Sequence, residues 1–169
     1  GLDHFTLADD SMLKSLKNGT LKRNFQGYTS DKADILLGLG VSSISYMTNG
    51  YLQNQTMISK YGPALQNGDF PITKGIETSE DDRIRKVIID EIMCYLKVDL
   101  NKILKDSDFK LSEFKDSLKQ LEPLAQDGLL EVTDSSIQIN QNARQITRIV
   151  SSIFDKYFTG GLNKHSIVA

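Results

Sequence analysis

Cysteine occurs once, tryptophan not at all, and histidine only twice in the 169 residues. A single cysteine, Cys94, excludes an internal disulfide framework and fits a reducing compartment, so a cytoplasmic protein is expected. One thiol and two imidazoles cannot by themselves build an iron–sulfur cluster or a usual zinc site. No apolar run approaches the ~18 residues that a membrane helix requires, and no membrane partner is expected. A formal net charge of −2 gives no general footprint for nucleic acid or anionic lipid. What is present is ordinary for a globular chain: 39% apolar and 25% charged residues. The length suits one compact domain, or a small domain joined to a piece of another. The opening GLDHF carries no initiator methionine, basic n-region or apolar h-region, so it does not read as a secretory signal. It reads instead as a strand inside something longer, with Gly1 an internal boundary.

The first 75 residues are rich in glycine and turn signals and poor in long periodic runs. Residues 2–5 suit a strand, and residues 9–17 a short helix closed by Asn18-Gly19. Residues 23–28 and 34–45 are β-favouring, the second stretch broken by Gly38 and Gly40. Residues 54–65 predict a helix that Gly62-Pro63 distorts, and 71–77 a short extended segment. These elements are too few to bury a core, which suggests a sheet that has lost its neighbours.

From Ser79 the character changes. Ser79 and Asp82 form a capping-box-like start, and Ile84, Val87, Ile88, Ile92, Tyr95 and Leu96 recur at helical spacing. A short helix near residues 101–104 follows. Leu111, Phe114, Leu118, Leu121 and Ala125 predict another helix, ended by Asp127-Gly128. Residues 129–132 and 137–139 predict a hairpin around Asp134-Ser135, and residues 141–158 a long third helix with its own apolar stripe. This order is that of a winged-helix-like domain.

The segment RNFQGYTSDKADILLGLGVSSIS, residues 23–45, closely resembles the oxygen-independent coproporphyrinogen oxidase pattern, a family of radical S-adenosylmethionine enzymes. GLDHFTLADD at the start, GIETSEDDRIRKVIIDEIMCYLKVD at 75–99 and LEPLAQDGLLEV at 121–132 continue the resemblance in order. A sister branch resembling heme chaperones instead reads RHN-x-x-YW and GxGAHS at these places, so the oxidase reading is the better one. The resemblance implies an α+β chain: residues 1–75 as the end of a partial TIM-barrel catalytic domain, and 76–169 as a helical, winged-helix-like C-terminal domain. The family's CxxxCxxC motif, which holds a [4Fe–4S] cluster, is absent here, and the variant tail HSIVA lacks the family's usual basic residue.

The implied reaction is oxidative decarboxylation of two propionates of coproporphyrinogen III, giving protoporphyrinogen IX in heme synthesis. A deoxyadenosyl radical derived from S-adenosylmethionine abstracts hydrogen, and the substrate radical then loses carbon dioxide and an electron to an acceptor. The chain alone is expected to be inactive and to bind no cofactor. The longer parent is expected to be a monomer, and the chain alone to self-associate through an exposed barrel edge. The resemblance also assigns Ile44, in VSSIS, and Gln26, in FQGY, to the site of a second S-adenosylmethionine. An amide such as Gln26 can donate and accept, while Ile44 offers an apolar wall. Gly38 and Gly40 allow a close backbone approach.

Other candidates weigh toward structure. Arg83, Arg85 and Lys86 could meet substrate carboxylates, but pairing with Asp81, Asp82, Asp90 or Glu91 along one helix explains them better; Arg23 stands no higher. His4 beside Asp3 could move protons, although a hydrogen-bonded structural role is the commoner use. Tyr28, Tyr46 and Tyr51 cluster near the glycine segment, as packing or as a porphyrinogen-facing wall. Cys94 reads as an inert core thiol, and His165 as exposed.

The rival reading is a free-standing winged-helix-like interaction module. For DNA, residues 112–127 would enter the groove, but Lys115 and Lys119 face Glu113, Asp116, Glu122 and Asp127. That balance, with no basic residue at the hairpin tip, argues against nucleic acid. The FQGY and GLGVSSIS segments discriminate, because a pure interaction module has no use for half of a nucleotide pocket.

Overall fold

The computed structural model describes residues 5–158. The chain is α+β, and its core lies wholly in the second half. Helix α1 (Ser11–Lys17) opens at Asp10, whose carboxylate accepts the Met12 N–H at 2.7 Å. A hairpin follows, β1 (Lys22–Asn24) and β2 (Gly27–Thr29). Strands β3 (Ile44–Met47), β4 (Gly50–Asn54) and β5 (Ile72–Glu77) form an antiparallel sheet in that order, with α2 (Ile58–Gln66) inserted before β5.

Helix α3 (Glu80–Tyr95) begins with the anticipated capping box: the Ser79 hydroxyl accepts the Asp82 N–H, and the Asp82 carboxylate accepts the Ser79 N–H. Its buried stripe is Ile84, Ile88 and Ile92, one residue per turn. Leu96, at φ +61°, ends it in a left-handed cap. Then come β6 (Lys97–Asp99), α4 (Leu100–Leu104), α5 (Lys115–Lys119), α6 (Glu122–Gln126), β7 (Leu130–Val132), β8 (Ser136–Ile139) and α7 (Thr147–Ser152). Sheet order is β6-β8-β7, antiparallel throughout. Phe114, Leu121, Ile137, Ile139, Val150 and Phe154 close over α3 as one cluster.

Several expectations change in detail. The helix predicted over 111–125 is three pieces, because Leu111–Phe114 is a 3-10 turn and Pro123 at the start of α6 has no N–H to continue α5. The long final helix is likewise a 3-10 segment, Gln141–Ile146, kinked within itself at Ala143 (φ −108°, ψ 15°) and followed by the short α7. Asn54 ends β4 rather than starting a helix, because its side chain is committed elsewhere. Strand β6, not anticipated, pairs with β8 through Val98 and Ile137. The strand expected at 2–5 lies almost wholly outside the described residues. Strand β5 runs through position 75, where the two domains were expected to meet.

Two reciprocal phenol contacts join the hairpin to α3. Tyr28 donates to the Met93 carbonyl at 3.0 Å, and Tyr95 donates to the Leu21 carbonyl at 2.9 Å. The first satisfies a carbonyl in the last turn of the helix, where intrahelical donors run out.

Candidate functional site

The glycine segment forms a stapled loop before β3. Asn54, buried at the end of β4, donates through Nδ2 to the carbonyls of Gly38 at 3.0 Å and Gly40 at 2.9 Å. The Gly38 N–H donates to the Ser45 hydroxyl, the Gly40 N–H to the Tyr61 hydroxyl, and the Ser43 hydroxyl to the Leu39 carbonyl. A Cβ at Gly38 would sit 2.7 Å from the Ile44 carbonyl oxygen, so glycine here lets the chain approach itself. Gly40, at φ +103°, turns where a side chain would be strained.

Ile44 opens β3, half-buried and paired with Gln53. Gln26 sits in the turn of the β1–β2 hairpin, exposed, its backbone N–H donating to Asn24 Oδ1 at 2.8 Å. Neither lines the two clefts that flank the aromatic cluster. His4, Asp3 and His165 lie outside the described residues.

That aromatic cluster is the centre of this face. Tyr46 and Tyr51 pair across β3 and β4 with ring centroids 4.9 Å apart, and Phe25 from the hairpin meets Tyr51 edge-on at 5.3 Å. Lys86 of α3 lies 5.5 Å from the Tyr46 ring centroid and pairs with Asp90 one turn on. Burial, aided by Tyr46 and Asp90, pushes the Tyr51 phenol up to about 12, so it stays protonated at neutral pH. Burial also pushes the Asp90 carboxyl upward, against the pull of Lys86, Arg23 and Lys22. Between the hairpin, β3–β4 and α3 opens a cleft of about 830 Å³, lined by Arg23, Phe25, Tyr46, Tyr51, Val87 and Asp90 among others.

The other cations are held locally. Arg85 pairs with Asp81 at 2.8 Å and lies over the Phe114 ring, while Arg83 donates to the Thr78 carbonyl. Lys156 bridges Asp81 and Asp82 at 3.0 and 2.8 Å. Arg85 and Lys86 thus pair with acids along the helix, whereas Arg83 turns to a backbone carbonyl instead. Cys94 is buried, and burial first, then Asp90, pushes its thiol up to about 12. Such a thiol is a poor nucleophile and a poor metal ligand. Among the described residues no group of three or more His, Cys, Asp or Glu could hold a metal ion, and no helix is long and apolar enough to cross a membrane. The described residues, with one buried cysteine among them, thus do not fit an iron–sulfur cluster.

No family profile matches the chain. Individual proteins do, and they define the class first: a solved radical SAM enzyme from Escherichia coli superposes with a TM-score of 0.87 at 36% identity, over 94% of this chain and 37% of that one. That enzyme is a coproporphyrinogen III oxidase. Oxygen-independent coproporphyrinogen III oxidases are similar to the chain at 36% identity in Bradyrhizobium diazoefficiens and 37% in Pseudomonas aeruginosa, over 98% and 93% of its length. The chain is homologous to a C-terminal part of these enzymes. It spans just over a third of their length, 37% and 34% in those two cases.

Proposed function

We propose that this chain works as the C-terminal part of an oxygen-independent coproporphyrinogen III oxidase, which converts coproporphyrinogen III to protoporphyrinogen IX by oxidative decarboxylation of two propionates. The observation that carries this reading is similarity at one fold over nearly the whole chain, at 36% identity. In that reading residues 1–75 complete a partial TIM-barrel catalytic domain, and 76–169 form a winged-helix-like domain. The helix–strand–helix–hairpin order and the separate core around α3 support the second assignment. The exposed apolar side chains of the first half support the first, since Leu37, Leu39, Ile58 and Phe70 have little to pack against here.

The [4Fe–4S] cluster belongs to residues outside this chain, because its one cysteine is buried and unreactive. S-adenosylmethionine, when bound in such an enzyme, supplies the radical that opens the decarboxylation. We assign Gln26 and Ile44 to the second S-adenosylmethionine site: Gln26 offers an exposed amide on a fixed turn, and Ile44 an apolar wall beside the stapled glycine loop. The chain's own part is to orient and to exclude water. Coproporphyrinogen III and an electron acceptor are the partners of the whole enzyme, in the cytoplasm.

Replacing the corresponding part of the Escherichia coli enzyme with this chain tests the reading. The chimera should retain its cluster and decarboxylate coproporphyrinogen III anaerobically. A folded, cluster-loaded chimera with no turnover, beside an active parent, would overturn it.

A further inference from the structure

Past Phe154 the chain changes its means of support within one residue. Phe154 is fully buried beside Phe114, their ring centroids 6.5 Å apart. Residues 155–158 are exposed, so apolar burial contributes little to holding them. Charge ties them to the first turn of α3 instead. Lys156 reaches Asp81 at 3.0 Å and Asp82 at 2.8 Å. Arg85, which pairs with the other oxygen of Asp81, also donates to the Phe154 carbonyl at 3.3 Å. Beside this segment lies the second cleft that flanks the aromatic cluster, about 450 Å³ in volume. Phe25, Tyr46, Tyr51 and Ile76 wall it from the first half, Ile89 from α3, and residues 154–157 form a further side. Thr78 lines the same space, its hydroxyl buried without a hydrogen-bond partner among the described residues.

Such a tie can order an exposed segment and still release it. An exposed ion pair shifts an equilibrium by only about 1.5- to 5-fold, and salt screens it. The two carboxylates have other duties that keep them in place when the lysine leaves. Both offset the positive end of the α3 dipole, Asp82 is held by Ser79 through the capping box, and Asp81 by Arg85. Hydrogen bonds to Asp82 and then Asp81 hold the Lys156 ammonium above its ordinary range, so it stays charged at neutral pH. Ionic strength, rather than pH, is therefore what loosens the tie.

We propose that residues 155–158 form a strap, latched by Lys156 on Asp81 and Asp82, that closes one side of the second cleft and opens about Phe154 when the latch is released. Phe154 stays in the core as the pivot, so opening leaves the cluster around α3 intact. The space uncovered reaches Phe25, Tyr46 and Tyr51, and the strap thereby controls a second approach to the aromatic cluster. This device stands on contacts within the chain and does not depend on the oxidase reading.

The test is maleimide labelling of Thr78→Cys in the full chain, at low salt and in about 1 M sodium chloride, where the Debye length is ~3 Å. Cys94 gives a silent background, because it is buried and its thiol is pushed up to about 12. Adding Lys156→Met, which keeps the apolar stem and removes the charge, should speed labelling at low salt about threefold. Lys156→Arg keeps the charge and should label as slowly as Thr78→Cys alone. Salt should speed labelling of Thr78→Cys and leave the form that also carries Lys156→Met unchanged. Motion of the sheet adds equally to every form, so the differences report the strap. Amide exchange over residues 155–158 should follow the same order, with the amides of residues 88–92 unaltered. If Thr78→Cys does not fold, exchange in the unaltered chain against Lys156→Met decides the matter. Labelling or exchange that ignores the charge at position 156 would overturn the proposal, as would an equal salt effect in Lys156→Met. Faster exchange throughout α3 would also overturn it, because Lys156 would then support the helix rather than latch a strap.

Discussion

Residues 80–154 and residues 5–78 are stabilised by different means. In the later region the isoleucines of α3 meet Phe114, Leu121, Ile137, Val150 and Phe154 in one dry cluster. In the earlier region the buried residues are Gly50, Asn54 and Pro71, and order comes from strand pairing and stapled turns. Leu39 and Phe70 are each 88% exposed there. A hydrogen-bonded sheet without an apolar face to bury is marginal in water, because net hydrogen-bond gains are small against backbone ordering. From this contrast we propose that the second region holds its shape alone and that the first region's exposed apolar side chains await a partner surface.

The most damaging change should fall in the core. Phe154→Ala should cost about 3–5 kcal/mol, enough to abolish cooperative thermal unfolding of the second region. A small effect there would erase the distinction between the regions. Asn54→Ala ranks next: with two glycine-loop carbonyls left unpaired, about 1–3 kcal/mol is expected. That loss should appear as faster amide exchange over residues 38–55 and leave α3 unchanged; loss spread evenly through the chain would mean that the regions are coupled.

Ser79→Ala should cost about 1 kcal/mol through the α3 cap, read from denaturant midpoints. Its partner Asp82 carries a pH signature. Burial raises this carboxyl, but hydrogen bonds from Lys156 and Ser79 outweigh it and hold the group well below the usual carboxylate range. A depressed folded pKa gives stability that is complete above the unfolded value of about 4 and is lost as pH falls below it. Asp82→Asn should therefore destabilise at pH 7, and the gap to the unaltered chain should close on acidification. A gap constant from pH 7 to 3 would contradict the assignment. Smallest of all, Leu39→Ser should shift the melting temperature of the isolated chain by no more than a surface change does, within ~0.5 kcal/mol.

Much of this division was legible in the residues. Ser79 and Asp82 marked the start of α3 because a capping box is local chemistry, and the isoleucine spacing of that helix needs no tertiary information. The hairpin around Asp134-Ser135 was equally local. Strand β6 was not legible: its three residues owe their extension to pairing with β8, some forty positions away. The long helices misread at 111–125 and 141–158 had continuous apolar stripes, and only Pro123 warned of the first break. Of the three tyrosines grouped in sequence, Tyr46 and Tyr51 meet at the candidate site while Tyr28 turns to the Met93 carbonyl, and Phe25, Arg23 and Asp90 were not joined to them. Only the packing of the hairpin on α3 brings those residues to one cleft. Gln26 and Ile44 were named through resemblance, and the spacing of the residues held no separate signal for them.

Amide hydrogen exchange, run on the chain alone and within the chimera, tests the central claim most directly. The account predicts slow exchange in α3 and β6–β8 in both. It predicts fast exchange across β3–β5 in the chain alone, and marked slowing there once the rest of the enzyme is present. Equal protection of β3–β5 in the two settings would contradict it, because the first region would then need no partner.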